Sequence, residues 1–250
     1  MGMKLYVTGA SGFIGTALSK AVEAVPFEKA EAIVHLAGIA HRRASGEELQ
    51  RVNVDLAVET ARKAAANGAA FLFMSTIKVH GEQGRFSEQS PLRPEDPYAE
   101  SKARAEEALR AIPALRLAIL RPPLVYGPGV KANFLALIRA IARGLPLPLA
   151  GVRNRRSYVY VGNLVDAVLA TVGKEGTFLV SDGKALSTPQ LCRAIGTALG
   201  RPARLFAFPF VPRKLSASLE VDDSLIRTHW QPPFPMEAGL HKTADWFLGR

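Results

Sequence analysis

The chain is expected to fold as an α/β protein, a doubly wound parallel sheet carrying a smaller lobe, and three observations lead there. Short apolar strands alternate with helix-period segments through the first half. A glycine-rich turn, from Thr8 to Gly15, stands between the first strand and the first helix. After Tyr126 the pattern changes, with Gly127-Pro128-Gly129 and then Leu145-Pro146-Leu147-Pro148, punctuation that suits the start of a second unit.

Taken in order, residues 4–8 (KLYVT) read as a short buried strand and 13–25 as a helical run. A second strand, 32–36, ends in Ala37-Gly38. Leu49, Val52, Val54, Leu56 and Val58 recur at helical spacing within 47–67, and Asn67-Gly68 gives the stop signal. Residues 70–75 form the next strand, followed by a polar loop with Gly81, Gly84 and Pro91. A helix is expected from Pro97 to about Ala111, then a strand at 115–120 closed by Arg121-Pro122-Pro123. Further on, helices are expected at 131–143, 163–172 and 188–199 and strands at 158–161 and 177–180, and an amphipathic helix near 236–248 closes the chain. The expected division is 1–126 with 157–180 as the sheet domain, and 127–156 with 181–250 as a lobe. That lobe would lie over the carboxyl ends of the strands, where such folds bind ligands.

Composition narrows the class. At 250 residues and 48% hydrophobic, the chain has ample material for a core, and folding should bury roughly 70–75% of its surface. A lone cysteine, Cys192, excludes a disulfide framework, and no Cys/His spacing suggests a metal. No stretch approaches the ~20 apolar residues of a membrane span, and the opening MGMKLYVTGASG does not read as a secretory leader. A cytoplasmic setting is therefore expected. Thirty-two basic against 22 acidic residues give a formal charge of +10, which attracts polyanions. The positive charge is spread along the chain, dense only at Arg153, Arg155 and Arg156. A nucleic-acid binder would concentrate it on one element, so a small diphosphate ligand is the better specific match and a solvated basic surface the plain alternative.

Gly9, Gly12 and Gly15 have the spacing of a phosphate-cradling turn. The first glycine allows the tight turn, the second clears a Cβ from the pyrophosphate's path, and the third lets helix and strand pack closely. Tyr98 and Lys102 stand four residues apart and so share a helix face. A cation beside a phenol favours the phenolate, which is expected to lower the Tyr98 pKa towards useful acid/base work. Ser75-Thr76, at the end of the preceding strand, offers a hydroxyl for the same substrate oxygen.

The ordered set TGASGFIG, HLAG, ST…VHG, YAESK, RPPLVYGPG and RRSYVYVGNLVDA resembles the extended short-chain dehydrogenases/reductases, and more narrowly their nucleotide-sugar epimerase/dehydratase branch. The likeness covers most of the chain. It implies a Rossmann-type sheet, NAD or NADP as cofactor, a nucleotide sugar (UDP-linked) as substrate, no nucleic acid, and a homodimer joined through helices 47–67 and 97–111. By that resemblance Tyr98 is the catalytic acid/base, Lys102 tunes it and holds the nicotinamide ribose, and Thr76 supplies the hydroxyl with Ser75 as the fallback. Gly9, Ser11, Gly12, Phe13, Ile14 and Gly15 would hold the pyrophosphate. Ala37, Gly38, Asn53, Ser75 and Pro123 would line the rest of the cofactor's path, with Asn133 near the sugar nucleotide and Arg156 on its diphosphate. Plainer readings stand beside these: Asn53 could only bridge helix and strand, His35 could be a packed and satisfied core histidine, and Arg153 and Arg155 solvated charges. The role of His80 is open.

The sequence departs from the branch pattern in four places. Only 17 residues separate Gly15 from Ile33, too few for the strand–helix–strand that normally reads the adenosine ribose. The sheet is thus expected to lack its usual second and third strands, leaving Glu28 and Glu31 without a strand to present them and NAD versus NADP unread. Leu124 replaces an asparagine often seen there, and Arg213 is the nearest stand-in for a further phosphate-binding arginine. Ile77-Lys78, in place of Asp-Glu after Thr76, argues against dehydration. A 4-epimerase or a 4-keto reductase remains, the alternative being a non-catalytic module that senses a dinucleotide or sugar nucleotide.

Overall fold

The computed structural model describes residues 3–40, 44–208 and 216–250; Arg213 lies outside them. In chain order the first half runs β1 (Leu5–Thr8), α1 (Phe13–Leu18), β2 (Ala32–His35), α2 (Gly46–Leu49), a π-helical stretch (Gln50–Asp55), α3 (Leu56–Ala66), β3 (Ala70–Met74), β4 (Gly84–Phe86), α4 (Pro97–Arg110) and β5 (Leu117–Arg121). The second half runs β6 (Leu124–Tyr126), α5 (Ala132–Ala142), β7 (Tyr158–Tyr160), α6 (Val161–Thr171), β8 (Gly176–Leu179), α7 (Thr188–Ala198), β9 (Leu219–Val221), α8 (Ser224–Arg227) and α9 (Met236–Leu248).

The main sheet is five-stranded and parallel, in the order β1-β2-β3-β5-β8. Strands covered on both faces need no polar alternation, and β2 (AIVH) and β3 (AFLFM) are buried at every position. Successive side chains take opposite faces. Val34, Leu72 and Leu120 join Leu18 of α1 and Leu164 and Val168 of α6 on one side. Ile33, Phe71, Phe73 and Ile119 meet Ala57, Ala61 and Ala64 of α3 and Ala105 and Leu109 of α4 on the other. A third core, with Tyr126, Phe134, Ile138, Tyr158, Leu191, Ile195 and Leu240, belongs to the second half of the chain.

One expected element is much shorter than read. The helical run 13–25 ends at Leu18, because the chain must turn back: Ala24 bridges Leu5, with the Val25 amide donating to the Leu5 carbonyl at 2.9 Å. A 3-10 turn at Phe27–Lys29 then leads into β2. Among the described residues β1 is one margin of the sheet, opposite β8, with Ala24 alone bridged to its outer side. Strands β4, β6 and β9, which pair as β4·β9 and with the expected strand β7 as β6·β7, are additions that local pattern did not suggest. No helix among the described residues is long and apolar enough to cross a membrane.

Candidate active site

The glycine turn lies at the carboxyl end of β1, and the protein itself dictates two of its three glycines. Gly9 sits at φ +69°, and a Cβ there would fall 2.7 Å from the Ala37 amide nitrogen. At Gly15 a Cβ would lie 2.2 Å from the Gly9 carbonyl oxygen and 2.7 Å from Ala10 Cα. Gly12 differs: exposed, at φ −74°, its Cβ would meet just the Gly9 oxygen, at 3.2 Å. Packing therefore leaves the side of Gly12 open while forbidding side chains on either flank, a cradle that a methyl group would fill. Ser11 is exposed beside it, and Phe13 and Ile14 face the third and first cores respectively. The turn is tied to β2 through Thr8, whose hydroxyl accepts from the Ala37 amide at 3.3 Å.

Beyond Ala37, Gly38 is exposed, and a Cβ there would stand 3.5 Å from Lys102 Nζ. Asn53 holds this corner. It is fully buried, accepts from the Ile39 amide at 2.7 Å, and donates to the Ile39 carbonyl at 3.2 Å and to Ser101 Oγ at 2.8 Å. Asn53 thus braces the β2 exit against α4, the bridging role among its two readings.

Helix α4 begins cleanly because Asp96 caps it, accepting from the Ala99 amide at 2.7 Å, and Pro97 opens its first turn. Its inward face carries Tyr98, Lys102 and Glu106 one turn apart. Tyr98 is half-buried, with Thr76 near enough to favour its phenolate; the Thr76 hydroxyl accepts from the Lys78 amide at 3.3 Å. Thr76, itself buried, caps the 3-10 turn Ile77–His80. Lys102 is buried with its ammonium 4.2 Å from the centre of the Phe73 ring. Burial pulls its pKa down to about 8 against the opposing charge of Glu106.

The expected lowering of the Tyr98 pKa is not found. Burial and then the Asp96 carboxylate push the phenol above its ordinary value, with the Thr76 side chain opposing. The physical reason is local: desolvation favours the neutral phenol, and an acidic residue lies two positions before it. Ser75, the fallback for the hydroxyl role, gives its hydroxyl to Glu106 Oε1 at 2.5 Å.

Glu106 was not anticipated, although its four-residue step from Lys102 was there to read. It is fully buried, and Arg121 donates to both its oxygens, through Nε at 2.9 Å and through Nη2. Arg110 adds a contact at 3.1 Å. Burial works against the carboxylate's charge, but Arg121, Ser75 and Arg110 outweigh it and hold the pKa below the usual range. Breaking such a pair from one side costs about 3–5 kcal/mol. Arg121 also donates from Nη1 to His80 Nε2 at 2.9 Å, so Nδ1 carries the proton and donates to the Pro91 carbonyl at 3.1 Å. That supplies a role for His80. His35, by contrast, is packed near Phe71 and Phe73 but not satisfied: neither ring nitrogen has a hydrogen-bond partner. Burial, with Lys102 nearby, pulls its pKa down to about 3.

Elsewhere Pro123 is buried at the exit of β5 and Asn133 is exposed in the first turn of α5, just after Ala132 at φ +52°. Arg156 is half-buried beside Tyr158, its backbone bridged to Leu186 and Leu219. Arg155 is exposed but paired with Glu220 at 2.9 Å. Glu31, a candidate for the adenosine ribose, lies at the other end of the sheet, its carboxylate on the Lys4 amide at 3.0 Å. The site thus fits a dinucleotide at the diphosphate and at the ribose beside Lys102, while Glu31 cannot serve its adenosine end.

Comparison with known proteins agrees with this geometry. Residues 20–178 match the model of the NAD dependent epimerase/dehydratase family. The chain is 34% identical over 258 residues to a UDP-glucose 4-epimerase of Vibrio cholerae, covering 90% of this chain and 79% of the relative. A ceramide reductase of Caulobacter vibrioides is 28% identical, with 87% of this chain and 74% of the relative covered. Among solved structures, RMD from Pseudomonas aeruginosa, complexed with NADPH, superposes with a TM-score of 0.82 at 19% identity, covering 99% of this chain and all of the other. The sheet with its flanking helices is therefore a Rossmann-like α/β fold.

Proposed function

Since the chain belongs to the NAD dependent epimerase/dehydratase family, a family of NAD(P)-dependent enzymes, we propose that it transfers hydride at C4 of a nucleotide sugar, as a 4-epimerase or a 4-keto reductase. The observation that carries this reading is the shared face of α4 that carries Tyr98 and Lys102 one turn apart, with the Thr76 side chain near enough to the phenol to act on its protonation. Gly9, Gly12 and Gly15 would hold the diphosphate of NAD(P), and Lys102, beside Gly38, its nicotinamide ribose. Hydride exchange with a carbinol carbon is the chemistry that NAD(P) supplies when bound.

The chain's own work is proton transfer and orientation. Tyr98, held above the ordinary phenol range, is protonated at neutral pH, the form that donates to a keto oxygen as hydride arrives; in an epimerase the phenolate would take the C4 hydroxyl proton in the oxidising half and return it in the reducing half. Thr76 shares that oxygen, and the Lys102 cation offsets charge developing on it. Asn133 and Arg156 are proposed to receive the sugar nucleotide, Arg156 at its diphosphate. Dehydration would need a carboxylate acid/base pair after Thr76. Here Ile77 is buried, and Lys78 engages both Asp96 and Glu82.

Likeness to a UDP-glucose 4-epimerase makes UDP-sugars the first class to test. Folded protein, given NAD(P) and UDP-glucose, UDP-N-acetylglucosamine or their 4-keto forms, is followed by proton NMR and nicotinamide absorbance. An epimerase interconverts C4 isomers without added reductant, whereas a reductase consumes NAD(P)H mole for mole. Absence of turnover with every one of these sugars overturns the proposal.

A further inference from the structure

The short segment that carries Thr76 is held at both ends by one buried ion pair. At its start, Ser75 donates its hydroxyl to Glu106 Oε1 at 2.5 Å. At its far end, His80 Nε2 accepts from Arg121 Nη1 at 2.9 Å. Glu106 and Arg121 are bound to each other through two hydrogen bonds, and their side chains are 0% and 3% exposed. Between the two ends the backbone is laid on the continuation of β5, with the Ile77 amide donating to the Pro122 carbonyl at 2.9 Å. Glu106 belongs to the same face of α4 as Tyr98, two turns away.

We infer that the Glu106–Arg121 pair is a clamp that sets the register between the Thr76 hydroxyl and the Tyr98 phenol, with Ser75 and His80 as its two jaws. These four are positioning residues: they act through Thr76 and Tyr98 and do not touch the reacting atoms. The geometry explains why two charges are buried here. An apolar pair could fill the volume, but it could not join β3, β5, α4 and the 3-10 turn at one point. It also gives the neighbouring hydroxyls different surroundings, Ser75 on the clamp and Thr76 on the Lys78 amide, near the phenol. The inference rests on the hydride-transfer reading for its kinetic consequence, though not for its structural one.

Ser75→Ala and His80→Leu each open one jaw and leave the ion pair intact, which avoids the misfolding that a change at Glu106 invites. A misplaced hydroxyl should lower kcat by about tenfold or more in each variant. The Kd for NAD should stay within about twofold, because the glycine turn and Lys102 do not move, and the KM for the nucleotide sugar should change far less than kcat, because Asn133 and Arg156 stay in place. Hydrogen–deuterium exchange should quicken across residues 75–81 while the backbone of α4 stays protected. A purely structural role would lower the melting temperature yet leave kcat per folded molecule unchanged, and that result overturns the clamp. Unaltered exchange at 75–81 in both variants overturns it as well. If the parent protein turns over no nucleotide sugar, the functional proposal fails, and exchange alone then decides on the clamp.

Discussion

Replacing Gly12 and Gly15 by alanine, one at a time, separates what the glycine turn does for the fold from what it does for a ligand. At Gly15 the new methyl would sit 2.2 Å from the Gly9 oxygen and 2.7–2.8 Å from Ala10 backbone atoms. None of these can rotate away, so the change should cost about 3 kcal/mol or more, the upper range for overpacking. For a chain of this size that lowers the melting temperature by roughly 6–12 °C. At Gly12 the one close neighbour, 3.2 Å away, can give by a few tenths of an ångström. The expected cost is below about 1 kcal/mol, a shift of no more than about 4 °C. Yet that methyl occupies the cradle. Keeping a diphosphate from its backbone N–H partners forfeits about 1.5–3 kcal/mol of charge-assisted hydrogen bonding, or roughly a 10- to 100-fold rise in the Kd for NAD. Calorimetric titration with NAD and thermal melts followed by circular dichroism measure the two effects. The reasoning is refuted if Gly12→Ala binds NAD like the parent, or melts as low as Gly15→Ala.

Other expectations concern the titrating groups. Tyr98→Phe should reduce turnover about 10²- to 10⁴-fold, the usual worth of a positioned acid or base, while the Kd for NAD changes by less than about threefold; steady-state kinetics and titration check it. With the Lys102 pKa drawn down to about 8, kcat/KM should fall above that pH as the ammonium is lost, and Lys102→Met should abolish the limb. His35, drawn from 6.5 to about 3, favours the neutral form in the fold. Its contribution is complete above pH 6.5 and lost as pH falls towards 3, about 3 kcal/mol being gone by pH 4. Urea melts across that range should show the loss in the parent and not in His35→Leu; an equal slope in both would be contrary to the reading.

How much of this was legible in the sequence depended on whether the signal was local. The last helix could be read to its ends, Met236–Leu248, because Pro235 precedes it and Gly249 takes the left-handed φ of +71° that stops a helix. Helix α4 was visible from Pro97 onward, and with it the alignment of Tyr98 and Lys102. The first helix was overread, since residues 19–25 keep a helical composition while serving to return the chain to Leu5. Pairing of Gly84 with Leu219 has no local trace, because its partners are far apart in sequence and each strand has three residues. The environment of Tyr98 was misjudged for a related reason. Helical spacing put a cation on its face, but desolvation is a property of the packed molecule. Positions 75, 80, 106 and 121 share no periodicity, and only folding unites them.

Because β1 is an edge strand of the sheet, with Ala24 alone laid along its free side among the described residues, the glycine turn springs from a strand paired on one side only. β2, β3 and β5 are each flanked on both sides. Strands could be grafted on or trimmed away next to β1 without unseating Tyr98, Thr76 or Lys102, which stand on the flanked part. An edit confined to the outer side of β1 should therefore leave the proposed proton-transfer groups where they stand.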